Sequence, residues 1–284
     1  MFLRVAKAMN TAPGAALAHD SALKHATGQA VYIDDMPLPA GTLHIAVGGA
    51  DTTVGTITEI DLESVRSAPG VIDVFCAADI PGENDVSPSG RGDEPLLASS
   101  EIRFDGEPVF AVVATSHRAA RAAAALGRIH VHTGDAVLTV DEALEQQRFI
   151  SDEQIMTRGD WQEAMQSAPY RAAGTMYCGG QDHFYLEGQI SLAIPQEDDH
   201  MLVYCSTQHP SEIQQHLAKV LNKPAHAVTV EVRRMGGGFG GKESQACQWA
   251  ALAAVAAGRN RCAVKCRLDR DAVSYTHLTL PTKA

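Results

Sequence analysis

The sequence predicts a mixed α/β fold built from two successive blocks, and three observations support this prediction. Short apolar runs bounded by turn residues alternate with Ala-rich helical stretches along most of the 284 residues. A polar stretch at 133–168 separates the two blocks and is interpreted as a connector. The composition, with 45% hydrophobic and 20% charged residues, is that of a chain that buries a sizeable core. We therefore predict a lead-in at 1–21, a first domain at 22–132, the connector, and a second domain at 169–273.

The first block contains four predicted strands and two predicted helices. Residues up to Thr27 are expected to be extended. The strands are short apolar runs between turn residues, at 43–47, 56–60, 71–75 and 109–114. The last run is almost continuously apolar, which is typical of a strand covered on both faces. Asp61 is expected to cap a short helix that ends at Pro69, Ser116 to cap a helix at 117–126, and 81–95 to form a long loop.

The second block follows a connector that contains one short predicted helix, at about 141–147. Its strand candidates are 175–178, 190–194, 202–206, 228–232 and 263–268. A capping-box pattern at 211–214 predicts the start of a helix. That helix would place four apolar side chains on one face, namely Ile213, Leu217, Val220 and Leu221. An Ala-rich helix at 244–257 is expected to stop at Gly258.

Charge and apolar patterning exclude several classes of protein. The net charge of −11 argues against a nucleic-acid partner, because such binding requires a basic face. The first residues lack the apolar core of a signal peptide, and no run approaches the roughly 18 apolar residues of a membrane span. The six cysteines include no CxxC pair, and Cys262 and Cys266 have a poor spacing for a metal. We therefore expect a cytoplasmic protein with reduced, buried thiols and no membrane partner.

The densest chemical signal is the run 234–243, in which five of the six residues from Gly236 to Gly241 are glycine. Glycine permits positive φ and lets the backbone approach a ligand closely. Successive N–H groups at a helix start can then hold an anion or an oxo group. Strand and helix predictions lie on either side of this run.

Several interpretations of the glycine run stay open on the residues alone. Gly236, Gly238 and Gly241 fit the GxGxxG dinucleotide pattern, and Asp269 follows at about the right distance. The phosphate-loop pattern fails at Glu243, because a carboxylate stands where a hydroxyl is required. A flexible connector without a ligand and a loop for another cofactor remain as alternatives.

Other motifs occur with the glycine run in the order and spacing of one enzyme family. In the second block these are GQDHFYLE at 180–187, STQ at 206–208 and MGGGFGGKE at 235–243; in the first they are GQAVYIDD at 28–35, PGV at 69–71, DIPG at 79–82 and DEPLLA at 93–98. They resemble the molybdopterin-binding large subunit of the xanthine dehydrogenase/aldehyde oxidase family, with Asp182 in place of a usual Glu. The resemblance spans about 17–271.

The resemblance implies an N-terminal α/β hammerhead domain followed by the first part of a molybdopterin-binding domain. Enzymes of this family hydroxylate a heteroaromatic carbon with water as the oxygen source. The implied cofactor is molybdenum-molybdopterin, as the pterin alone or in its cytosine dinucleotide form. Iron-sulfur clusters and FAD are implied on a partner subunit or other domain. The implied partners are therefore a purine substrate, xanthine or hypoxanthine, and an iron-sulfur/FAD subunit in a hetero-oligomer.

Four residues match binding positions of the family. Gln208 matches the residue whose amide hydrogen-bonds the oxo ligand of molybdenum, and Phe239 and Gly240 match loop residues beside the metal. Glu243 matches a substrate-binding carboxylate of purine-oxidising members, which aldehyde-oxidising relatives tend not to keep. The catalytic Glu of the family occurs later in the subunit, so no catalytic residue is assigned.

Two pairs of residues receive no catalytic role. His183 and Glu187 resemble an acid–base pair, but we expect a packed histidine and a solvated glutamate. His130 and His132 alternate along a strand and are interpreted as surface residues.

The tail at 274–284 does not continue the pattern that precedes it. It resembles the translated adaptor of a sequencing library, so we expect the natural sequence to stop near 271–273. On this interpretation the chain alone is inactive, because later catalytic and pterin-binding segments would be missing. Two other hypotheses are a Rossmann-type dehydrogenase that binds NAD through Gly236–Gly241 and a non-catalytic hammerhead interaction module.

Overall fold

The computed structural model describes residues 18–149 and 151–269. The predicted adaptor tail and most of the lead-in lie outside these residues. The strands within the described ranges are β1 (Leu43–Gly49), β2 (Gly55–Asp61), β3 (Val71–Cys76), β4 (Glu101–Ile102), β5 (Pro108–Ala114), β6 (Arg128–Thr133), β7 (Ile190–Pro195), β8 (Met201–Cys205), β9 (Val228–Glu231) and β10 (Val264–Arg267). The α-helices are α1 (Ala22–Ala26), α2 (Glu63–Arg66), α3 (His117–Ala124), α4 (Val140–Glu145), α5 (Trp161–Ser167), α6 (Pro210–Val220) and α7 (Ala246–Asn260).

The mixed α/β prediction is confirmed, and the two blocks share one sheet. Seven strands form a mixed sheet in the order β3-β5-β1-β10-β7-β8-β9, and β4-β2-β6 form a smaller antiparallel sheet. The blocks meet where β1 runs parallel to β10, with Leu43 opposite Val264. The first block therefore contributes one side of the large sheet and the second block the other. The domain boundaries stay a prediction.

Strand β5 lies between two buried clusters, which explains its continuous apolar run. Ala111 and Val113 belong to the larger core under α6 and α7, whereas Phe110 and Val112 belong to the smaller core near α3. Every side chain of β5 is buried, so the predicted covering of both faces is confirmed. The Phe110 ring also fills the space beside Gly48, where a Cβ atom would lie 2.1 Å from the ring.

Helices α6 and α7 supply most of the larger core. The four apolar residues predicted to share a face of α6 are all buried. In α7, every residue from Ala246 to Ala257 is buried except Gln248, which is half-buried. Most of these side chains are alanine, and their small size lets the helix lie close to the sheet while it packs against α6.

Several predicted ends of elements differ from the structure. Residues 22–26 form α1 and are not extended. Helix α6 begins at Pro210, without a side-chain cap, so the capping box predicted at 211–214 is wrong. Proline at the first position of a helix supplies the φ that the helix needs, and the helix starts two residues before the position that a cap at Ser211 would give. Helix α7 continues past Gly258 to Asn260, because Arg261 adopts the left-handed conformation (φ 51°) that ends it.

Two further differences concern whole elements. The strand predicted at 175–178 is absent, and Met176 and Tyr177 are each 86% exposed. Neither sheet of the described residues includes this segment. Helix α5 and the two-residue strand β4 were not predicted.

Among the described residues, no helix has both the length and the apolar character that crossing a bilayer requires.

An ion pair fastens the end of α7 to the edge of the large sheet. The Arg259 guanidinium donates to both carboxylate oxygens of Asp73 in β3, over 2.7 and 3.1 Å. Burial of Asp73 opposes its ionisation, but the hydrogen bond and charge of Arg259 outweigh this effect, so the pKa of Asp73 lies below its ordinary value. The pair therefore contributes stability above the ordinary carboxyl pKa, and this contribution is lost as the pH falls through the lowered pKa.

We predict that Arg259→Met lowers the free energy of unfolding by about 1–2 kcal/mol at pH 7, because the Asp73 carboxylate loses its charged partner. Urea denaturation at pH 7, 5 and 3 measures this. The loss should be equal at pH 7 and 5 and smaller at pH 3. Arg233→Met is the control, because Arg233 and Asp20 form an exposed pair and exposed pairs contribute about 0–1 kcal/mol. Equal losses in the two variants contradict the prediction.

Candidate functional site

Three segments that are distant in the sequence meet at the glycine loop (236–243). The segment 183–189 leads into β7, and the segment 206–208 follows β8. Gly236 N donates a hydrogen bond to Glu187 Oε2 over 2.8 Å, and Gln208 N donates to Lys242 O over 2.7 Å. The three motifs of the second block that carry the family resemblance therefore form one site.

The centre of the glycine loop is a tight turn. Gly241 N donates to Gly238 O over 2.8 Å, and the two residues between them have positive φ, 54° at Phe239 and 91° at Gly240. Positive φ at both central positions is the pattern of a type I′ turn. A phenylalanine in this conformation is strained and persists only where its surroundings impose the backbone path.

Close contacts explain why glycine occupies two other positions of the loop. A Cβ atom on Gly236 would lie 2.5 Å from Glu187 Cβ, and one on Gly238 would lie 2.5 Å from Gln208 Oε1. Any larger residue at these two positions would push the loop away from both neighbouring segments.

The Gln208 side chain is oriented by the glycine loop. Its Oε1 accepts hydrogen bonds from Gly240 N (2.9 Å) and Lys242 N (3.3 Å). Gly240 N and Lys242 N are both donors, so the oxygen of the Gln208 amide, and not its NH₂ group, must face the loop. The Gln208 NH₂ group is therefore the end left to meet a ligand, and it offers donors for an acceptor such as an oxo group.

Phe239 and Glu243 lie on the outer surface of the loop. Phe239 is 74% exposed. Glu243 is also exposed, and its carboxylate is in no salt bridge among the described residues. The structure thus brings Gln208, Phe239 and Gly240 together, with Glu243 two residues beyond Gly241, the last residue of the turn.

Glu187 is not the solvated residue that the sequence suggested. Its side chain is only 11% exposed. Its Oε2 accepts hydrogen bonds from Gly236 N, Ser206 Oγ and Lys242 Nζ. Because the carboxylate joins all three segments, its role in this site is structural.

The three histidines considered in the sequence lie as expected. His183 packs beside Gly241, where a Cβ atom would lie 2.9 Å from the imidazole ring. His130 and His132 are exposed on β6.

Lys242 is fully buried beneath the loop. Its ammonium group donates to Ser206 Oγ over 2.7 Å, lies 3.3 Å from Glu187 Oε2, and stands 4.6 Å from the centre of the Tyr185 ring. In a phosphate-binding loop the lysine extends toward the phosphates. Here the Lys242 side chain points into the protein, so the loop does not bind phosphate as a phosphate-binding loop does.

The topology also differs from that of a Rossmann fold. Strands β9 and β10, on either side of the loop, are separated in the sheet by β7 and β8. Helix α7 begins at Ala246, so its N-terminus is not part of the glycine turn. Asp269, in the position of a ribose-binding carboxylate, forms an ion pair with Arg121. A dinucleotide fingerprint requires adjacent parallel strands and a helix that starts at the glycines.

Two of the buried thiols are neutral. Burial raises the pKa of both Cys205 and Cys266 to about 12. Cys247 is also buried, whereas Cys178 is exposed, so the expectation of buried thiols is wrong for Cys178. In the part of the chain that the structure describes, no group of three His, Cys, Asp or Glu side chains could hold a metal ion.

Sequence reasoning missed the residues that support the loop from below. Lys242, Ser206 and Tyr185 are buried, and Gln189 Nε2 donates to Gly241 O over 3.0 Å. Lysine is almost never fully buried unless it is paired. The sequence motif therefore did not indicate that the Lys242 side chain is buried.

Two family models match the chain. The model described as "Aldehyde oxidase and xanthine dehydrogenase, a/b hammerhead domain" matches residues 27–134, and the model described as "Molybdopterin cofactor-binding domain" matches residues 144–279. Both models describe domains of the molybdenum-hydroxylase family of oxidoreductases.

Individual relatives agree with these two models. The chain is 38% identical over 256 residues to a xanthine dehydrogenase of Drosophila pseudoobscura pseudoobscura, covering 89% of this chain and 19% of the relative. It is also 38% identical over 259 residues to aldehyde oxidase 3 of Rattus norvegicus, covering 90% and 19%. The crystal structure of quinoline 2-oxidoreductase from Pseudomonas putida 86 matches with a TM-score of 0.79 and 26% identity, covering 92% of this chain and 35% of that one.

The chain belongs to the xanthine dehydrogenase/aldehyde oxidase family. The predicted hammerhead domain followed by the start of the molybdopterin-binding domain is confirmed. The chain spans about a fifth of the length of the curated relatives, 19% of each of the two named above.

The groups present in the site fit a molybdenum-pterin cofactor. Gln208 offers donors to an oxo group. Glu187 Oε1 and Gln189 Oε1 are buried acceptors without a hydrogen-bond partner among the described residues. Both residues line a cleft of about 840 Å³ beside Gly236 and Gly237. A pterin carries N–H donors, and buried acceptors are normally satisfied by such groups.

We predict that substitutions at the two central residues of the turn change the free energy of unfolding by different amounts. Gly240→Ala should lower the free energy of unfolding by about 1–2 kcal/mol, because alanine disfavours positive φ. Phe239→Gly should change it by less than about 1 kcal/mol, because the exposed ring contributes little packing and the strain is relieved. Urea denaturation of both variants measures this. A larger loss for Phe239→Gly than for Gly240→Ala contradicts the prediction.

Proposed function

We propose that this chain supplies the molybdenum-facing loop of an enzyme that oxidises xanthine or hypoxanthine, with water as the oxygen source. The observation that carries the proposal is the convergence of three family motifs on one turn, with the Gln208 amide fixed as a donor. When bound, the molybdenum-pterin cofactor supplies the two-electron redox chemistry of hydroxylation.

Each loop residue has a separate proposed role. The Gln208 NH₂ group donates to the oxo group of the cofactor, and Phe239 and Gly240 lie beside the metal. Glu243, which is exposed beyond the turn, accepts hydrogen bonds from purine N–H groups. A site with a polar group for the correct substrate discriminates strongly against analogues that cannot pair with it.

The partners are proposed from the family and from exposed apolar side chains. Met156, Tyr170, Met176, Tyr177 and Leu186 are each at least 86% exposed. We propose that neighbouring protein in the complete enzyme covers these side chains. We propose a cytoplasmic hetero-oligomer in which an iron-sulfur/FAD subunit or domain accepts the electrons.

The substrate is tested in the complete enzyme that contains this segment. We predict that Glu243→Gln lowers kcat/KM for xanthine by roughly 100-fold or more, because a purine N–H group loses its charged acceptor. Turnover of an aromatic aldehyde should change by less than about threefold. Incorporation of ¹⁸O from labelled water into the product tests the oxygen source. Equal losses for both substrates exclude the purine role of Glu243.

The isolated 284-residue chain provides a second test. We expect no xanthine-dependent dye reduction, because the chain spans only 19% of its relatives' length. We also expect no NAD binding in calorimetry, because β9 and β10 are not adjacent. Dye reduction by the chain would overturn the first expectation, and NAD binding would favour the Rossmann alternative.

A further inference from the structure

We propose that Lys242 and Glu187 are positioning residues that hold the glycine loop in the form that orients Gln208. This inference rests on the proposed function. It concerns the side chains of Lys242, Glu187 and Ser206, which form hydrogen bonds beneath the loop.

Lys242 is joined to Gln208 through its backbone. Lys242 N donates to Gln208 Oε1, and Lys242 O accepts from Gln208 N over 2.7 Å. Lys242 O also accepts from Thr207 Oγ1 over 2.9 Å. A shift of Lys242 therefore moves both ends of the Gln208 residue.

The side chain of Lys242 is held by Glu187 and Ser206. Glu187 Oε2 lies 3.3 Å from Lys242 Nζ and also accepts from Gly236 N over 2.8 Å. One carboxylate oxygen thus fastens both ends of the loop. The strained turn at Phe239 and Gly240 lies between these two fixed points.

The charges make this arrangement sensitive to substitution. Lys242 is fully buried and Glu187 is largely buried, so either charge without the other would be buried without compensation. Removing one partner of a buried pair is strongly destabilising, because the remaining charge keeps its desolvation cost. We expect this cost to be relieved by movement of the loop.

The test compares Lys242→Met with Lys265→Met in the full chain. Lys265 is the other buried lysine among the described residues and pairs with Asp34 over 2.6 Å. Hydrogen–deuterium exchange is measured for residues 236–242 and for α7. We expect Lys242→Met to raise exchange in the loop by roughly tenfold or more beyond any change in α7. Lys265→Met should change hydrogen–deuterium exchange in the loop and in α7 by the same factor.

A second readout reports on Gln208 itself. The NMR signal of its side-chain NH₂ group, assigned by its loss in Gln208→Ala, should move toward the position of a free glutamine in Lys242→Met. It should stay unchanged in Lys265→Met. An unchanged signal in Lys242→Met, or equal exchange ratios in the two lysine variants, overturns the proposal.

Milder variants keep the test decisive if Lys242→Met does not fold. Glu187→Gln keeps the shape of the side chain and one acceptor, and Ser206→Ala keeps both charges. Each variant should raise hydrogen–deuterium exchange in the loop more than in α7, but by less than Lys242→Met does. Normal loop exchange in both overturns the proposal. These measurements need neither cofactor nor substrate. If exchange rises selectively in the loop but the activity assays contradict the role of Glu243, the result counts against the proposed function and not against this inference.

Discussion

The parallel pairing of β1 with β10 is the constraint on which the rest of the structure depends. It joins Leu43–Ile45 of the first block to Val264–Cys266 of the second and so makes one sheet from both. Helix α7 can then pack across strands of the second block while Arg259 reaches Asp73 in the first. The glycine loop precedes α7 directly in the chain, so the position of the helix also limits the position of the loop.

The site combines a strained outer surface with a buried polar support. Phe239 and Gly240 take positive φ on the outside, whereas Glu187, Ser206 and Lys242 form hydrogen bonds inside. Strain of this kind persists where surrounding contacts over-determine the backbone. The buried polar groups specify one loop conformation, because any other conformation would leave charges unpaired in a region of low dielectric.

The family and the substrate are supported by different observations. Membership rests on two matched domains and on relatives that cover about nine-tenths of the chain, 89% and 90%. The same identity, 38%, is found to a xanthine dehydrogenase and to an aldehyde oxidase. The purine proposal therefore depends on one side chain, Glu243, and on the chemistry of the substrate that it would bind.

The sequence by itself determined most of the strands and helices and indicated which residues form the site. Apolar periodicity predicted β1, β2, β3, β5 and the buried face of α6, because local patterns follow directly from the period of a strand or helix. Motif order placed Gln208, Phe239 and Gly240 together. Tertiary structure decided the ends of α6 and α7, the absence of a strand at 175–178, and the burial of Glu187 and Lys242. Those features depend on which distant segments meet: a charged residue is buried only where its partner, here 55 positions away, completes the pair.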